Sequence, residues 1–192
     1  MATKPPRFPS VQDTPEKAEA FAEVERIVKE LHGASFKVKN DDGNFLGPFG
    51  VLSSAPKTFV PYLEYTLAFF KLPHVTTKER ELAILAAVSV TKSEFVEYAH
   101  HKIGIAQGLS QAQVEIASKG HVPIEGLSDR EESIYELSLS LARGFGKIDD
   151  KQFNLAVTLL GREGVSQVAQ LVGGYILVSL LVNVGDIRPP QS

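Results

Sequence analysis

The chain has 192 residues, 43% of them hydrophobic and 22% charged, the proportions of one ordinary globular domain able to bury a core without covalent staples. A net charge of -3 gives no pull toward nucleic acid or an anionic membrane surface. The absence of cysteine excludes disulfides, thiolate metal sites, iron–sulfur ligation and thiol nucleophiles.

Residues 1–11 are polar and proline-rich and lack the apolar stretch of a signal peptide, and residues 188–192 match neither a prenylation box nor a peroxisomal address, so a cytosolic location is expected. Residues 15–31 carry Ala18, Phe21, Val24, Ile27, Val28 and Leu31 three and four apart behind Thr14-Pro15, which predicts an amphipathic helix capped at Thr14. Residues 32–49 collect glycines, asparagines and aspartates and read as a long turn-rich segment bordering a site. A helix is predicted over 56–72, started by Pro56 and stopped by Pro73.

Thr76 or Thr77 can cap the next helix, Thr76 standing three residues before Glu79 as in a capping box, and the run 81–90 is apolar enough to be a buried helix. The next helix covers about 93–107 and closes at Gly108; a short one follows over 110–119, capped by Ser110. Ser128 and Glu131 form another capping box, opening a helix over 128–143, and residues 149–160 form one more before Gly161. The last helix, about 163–184, has no charged residue between 165 and 185. Its length suits a membrane span, but Ser166, Gln167, Gln170, Ser179 and Asn183 interrupt it, and amides suit a packed or subunit-contacting helix better. No strand-like alternation of convincing length occurs, so an all-α compact helical bundle is the expected fold.

The densest reactive cluster lies on two consecutive helices, in Lys78-Glu79-Arg80-Glu81 and in Ser93-Glu94-Phe95-Val96-Glu97-Tyr98-Ala99-His100-His101. At about 100° per residue Ser93 and Val96 fall within about 40° of His100, with Glu97 about 60° to one side. One face can thus present Ser93, Glu97 and His100, with Glu81 as the carboxylate that orients the imidazole. Residue types alone leave a second reading open, in which Glu97 and His101 form a solvated pair and His100 is a core residue. No phosphate loop, nucleophile elbow or zinc signature is present, and adjacent histidines diverge on a helix, so neither cofactor nor metal is expected.

The segment Gly47-Pro48-Phe49, then Pro56, then Lys78 through Leu85, then the His100 helix ending at Gly104-Ile105-Ala106-Gln107-Gly108-Leu109-Ser110, resembles the carboxymuconolactone decarboxylase and alkylhydroperoxidase-D-like superfamily. The tail from Leu160-Gly161-Arg162-Glu163-Gly164 through Tyr175 to Leu181-Val182-Asn183 is similar to that family's closing helix. The resemblance covers about residues 45–186 of a single domain, 1–192, leaving 1–13 and 187–192 as flexible ends.

In the family's peroxidase branch a glutamate precedes a Cys-x-x-Cys pair, and a histidine follows the second cysteine by four. Counting from His100, these positions fall on Glu81, Ser93 and Val96. Serine and valine cannot turn over a disulfide. In the decarboxylase branch the helix carries a glutamate six residues before the histidine, here Glu94. Other members carry a glutamate at the Val96 position and tryptophan at the Glu97 position, so the acid in this chain is displaced by one residue.

The resemblance implies a cofactor-independent decarboxylase-like enzyme acting on a small cyclic, lactone or keto-carboxylate substrate. His100 would be the proton donor, Glu81 its partner, Glu94 or Glu97 a second carboxylate, and Ser93 a further site residue. Isomerisation, dehydration or lactone opening by the same groups, and a non-catalytic helical oligomer, are the alternatives. A homo-oligomer, trimeric or hexameric, is implied as well. Its physical motive is the uncharged last helix together with Phe69, Phe70 and Leu72.

Overall fold

A computed structural model describes residues 7–9, 15–32, 37–123 and 125–189. Among the described residues eight helices follow one another: α1 (Pro15–His32), α2 (Pro48–Leu52), α3 (Pro56–Phe70), α4 (Thr77–Thr91), α5 (Glu94–Ala106), α6 (Gln111–Ser118), α7 (Asp129–Gly144) and α8 (Asp150–Val184). Among the described residues the only β pairing is an isolated antiparallel bridge between Lys39 and Phe45. The protein is all-α.

Side-chain chemistry sets the helix starts. The Thr76 hydroxyl accepts from the Glu79 amide while the Glu79 carboxylate accepts from the Thr76 amide, closing the box on α4. Ser110 with Gln113 does the same for α6, and Ser128 with Glu131 for α7. The cap predicted at Thr14 lies outside the described residues. The α2 turn was not foreseen. It begins at the end of the turn-rich segment, where Gly47, at φ 56°, delivers the chain to Pro48 at the first helical position. Gly161, at φ 69° and ψ 168°, breaks α8 into arms of residues 150–160 and 162–184, the two helices expected on either side of it.

The chain divides into two compact units, one reaching to Lys71 and taking in Leu181–Ile187, the other formed by Leu72–Leu180 with the residues from Arg188 onward. In the first, Phe21, Val24, Ile27 and Val28 of α1 meet Phe59 and Leu63 of α3, with Phe49 and Leu52 of α2 beside them. Phe69 is buried against the Tyr65 and Phe70 rings, so it lends nothing to an outer surface, whereas Leu72, in the second unit, is 36% exposed.

In the second unit α4 is the central element, packed against α5, α6 and α7. Residues 82 through 88 are all buried, so α4 is apolar around its circumference, as a core helix must be. Each fully buried leucine there, such as Leu82 or Leu85, contributes about 1.5–3 kcal/mol relative to exposure.

By length and composition alone α8 could cross a bilayer. Its second arm instead has two faces, with Val168, Leu171, Val172, Tyr175 and Ser179 buried and Leu177 and Leu180 exposed.

Candidate active site

α4 and α5 are joined by a turn of only two residues, Lys92 and Ser93. Lys92 takes the left-handed conformation, φ 54° and ψ 36°, which reverses the chain and returns its amide to the Val88 carbonyl. The turn makes α4 and α5 neighbours. Glu81, one turn into α4, thereby meets His100, two turns into α5.

Their contact is direct. His100 Nδ1 lies 2.7 Å from Glu81 Oε2, and both side chains are nearly closed to solvent, 9% and 5% exposed. A carboxylate only accepts, so Nδ1 donates and Nε2 is left as the ring nitrogen free to exchange a proton with a bound molecule. Tyr175, from the second arm of α8, stands edge-on to the imidazole, ring centroids 4.9 Å apart and planes at 89°. That T-shaped packing helps to fix the ring plane.

The remaining predicted residues fall in distinct places. Ser93 is the N-cap of α5 and has no exposure, yet its hydroxyl makes no capping bond, and its oxygen is the one buried side-chain polar atom without a partner among the described residues. Glu94 is turned to the surface, where Arg188 holds it at 2.9 Å. Glu97 lies half-buried in the first turn, its amide bonded to the Ser93 carbonyl. His101 does not mirror His100: its Nε2 lies 3.3 Å from the Gln111 amide nitrogen. The structure therefore brings His100 and Glu81 together, puts Ser93 on the same helix face, and directs Glu94 to Arg188.

Tyr175 was not singled out as a site residue by sequence reasoning. It entered only as part of the tail similar to the family's closing helix, and only the fold says which side chain it meets. Neighbouring polar contacts hold the frame. Arg130 of α7 bonds Glu79 at 2.6 Å, the Leu159 carbonyl at 2.6 Å and the His74 carbonyl at 2.7 Å. Gln167 of α8 accepts from the His74 amide and donates to the Leu72 carbonyl. Together they fasten the residues leading into α4 to α7 and α8.

Among the described residues no group of three or more histidine, aspartate and glutamate side chains is arranged to hold a metal ion. An open groove of about 290 Å³ beside α6, lined by Ser110, Gln113, Ile116 and Pro123 among others, shares no residue with the His100–Glu81 pair.

No family model matches the sequence, and no curated protein matches it. Among solved structures, the chain is similar to one described as an alkylhydroperoxidase AhpD core, an uncharacterized peroxidase-related protein from Ralstonia eutropha JMP134. The two share 16% identity at a TM-score of 0.75, over 99% of this chain and 95% of that one. This chain has the AhpD-like all-α fold.

Proposed function

We propose that the protein is a cofactor-independent acid–base enzyme of the decarboxylase type, with His100 as the proton donor and Glu81 as the residue that orients it. The observation that supports this most is the buried 2.7 Å contact between His100 Nδ1 and Glu81, which leaves Nε2 with the proton-transfer role. Thiol peroxidase chemistry, which the name of the similar structure brings to mind, is excluded for this chain by its lack of cysteine.

The substrate class is a small β-keto carboxylate or a carboxylated lactone. In such a molecule the bond to the carboxyl carbon breaks, CO2 departs, and the electron pair moves onto the neighbouring carbonyl as an enolate. The imidazolium Nε2–H then protonates the enolate carbon, and solvent restores the proton to the imidazole. Glu81 holds the ring in this orientation throughout by accepting from Nδ1.

A panel of β-keto acids and carboxylactones, assayed for CO2 release with purified protein, tests the reading. Turnover of at least one member above the solvent rate is expected. Silence across the panel, or release equally fast with His100→Gln, would leave a helical protein without this activity.

A further inference from the structure

We infer that the Ser93 hydroxyl, with the first amides of α5, forms the subsite for a negatively charged oxygen of the substrate, a carboxylate or enolate oxygen. The inference rests on the reading of His100 as the acid–base group, because it places this oxygen along the same helix face. Ser93 is fully buried, and its Oγ has no hydrogen-bond partner. A buried hydroxyl left unpaired is costly, and such atoms in native proteins are few. Something other than the folded chain accounts for this one.

The serine is also at a helix start without serving it. Its backbone, at φ -81° and ψ 101°, is that of an N-cap, where a serine oxygen ordinarily accepts from the second or third amide of the helix. Here it makes no such bond, while Ser110 and Ser128 do so at α6 and α7. The hydroxyl proton and the opening amides of the 13-residue α5 are therefore donors at one place, with the positive end of the helix dipole behind them.

Charge around the subsite is balanced rather than positive. Lys92 immediately precedes Ser93, Arg188 holds Glu94, and Glu97 lies one turn further along. Recognition thus depends on hydrogen-bond donors. Ser93 and His100 are about 20° apart around α5 and about 10 Å along its axis. Side chains on a helix lean toward its N-terminus, which brings the imidazole closer to Ser93. A molecule with an anionic oxygen at Ser93 would then extend along this helix face with its reacting carbon toward His100 Nε2.

Oxalate, a planar mimic of a keto-acid enolate, is the probe, with oxamide as its uncharged counterpart. Each is titrated by calorimetry and by backbone amide shifts into the wild type, Ser93→Ala and His100→Gln, and the free proteins are melted in parallel. Oxalate is expected to saturate the wild type, to shift the amides of Glu94, Phe95 and Val96, and to bind about tenfold to a hundredfold more weakly to Ser93→Ala. Oxamide should not compete. Free Ser93→Ala should melt at or above the wild-type temperature, since no capping bond is lost. His100→Gln should weaken oxalate as well, since the imidazole stands beside the ligand, but at saturation it should still shift the amides of Glu94, Phe95 and Val96.

Failure of oxalate to bind the wild type, unchanged affinity in Ser93→Ala, or a marked fall in that variant's melting temperature would overturn the subsite. If oxalate binding depends on Ser93 but the CO2 panel is silent, the decarboxylase reading fails and the subsite stands. If the panel succeeds and loses its activity with His100→Gln while Ser93→Ala binds oxalate normally, the subsite alone fails.

Discussion

Glu81 sits where a carboxylate is of little use except to a partner: 4% exposed on the central helix, with His100 Nδ1 at 2.7 Å. Glu81→Gln replaces the charge with an amide of the same size, whose carbonyl still accepts from Nδ1. The ring keeps its place but exchanges a charge-assisted hydrogen bond for a weaker neutral one. Turnover should therefore fall, by less than for loss of the histidine, with the helical circular dichroism unchanged. A rate equal to wild type would show that the carboxylate serves only to fill its place. The pair was legible in the sequence because helical spacing and the family resemblance both marked His100 and Glu81. Tyr175 was not, since its contact with the imidazole joins residues far apart in the chain. The engagement of Glu94 by Arg188 was hidden for the same reason.

α4 carries Glu81 among buried apolar neighbours, and its start is held by Arg130. Glu79 has a side chain only 4% exposed, whereas Arg130 is 38% exposed, so solvent screens one end of that ion pair. Arg130→Met would leave the Glu79 carboxylate buried without its cation and the carbonyls of His74 and Leu159 without their donor. After allowance for screening, a loss of about 2–4 kcal/mol is expected by chemical denaturation. Arg130→Lys should recover only part of it, because an ammonium's three donors leave one nitrogen and do not span the oxygens that the three guanidinium nitrogens reach. A variant as stable as wild type would mean that these bonds do not hold the start of α4. Helix boundaries were the most readable feature of this fold. Thr76, Ser110 and Ser128 each announce a helix through bonds to residues three positions on. The α2 turn escaped because five residues are too few for a hydrophobic period, and its start depends on the conformation of Gly47.

At the scale of the whole molecule, the uncharged arm of α8 leaves a strip of Ala169, Gly173, Leu177 and Leu180 facing outward, with Leu180 61% and Leu177 42% exposed. Such a strip on one helix face motivates the proposal that the chain works as a homo-oligomer. Sedimentation at micromolar concentration should show a species of several chains, and Leu180→Glu should shift it toward a single chain. A single-chain wild type would overturn this. The bundle class was legible from periodicity and short turns. The division into two units was not, because it depends on which helices pack together, and sequence patterns report only that each has an apolar face.

The proposed chemistry requires that His100 move a proton in the reaction. It is tested most directly by the rate per folded molecule of His100→Gln against wild type and His101→Gln, on whichever member of the CO2 panel is turned over. His100→Gln should keep the fold and lose about 10²–10⁴ in turnover, the usual worth of a positioned acid–base group, while His101→Gln loses much less. A lower melting temperature for His100→Gln with activity per folded molecule nearly unchanged would contradict it, and would make His100 a residue of the core.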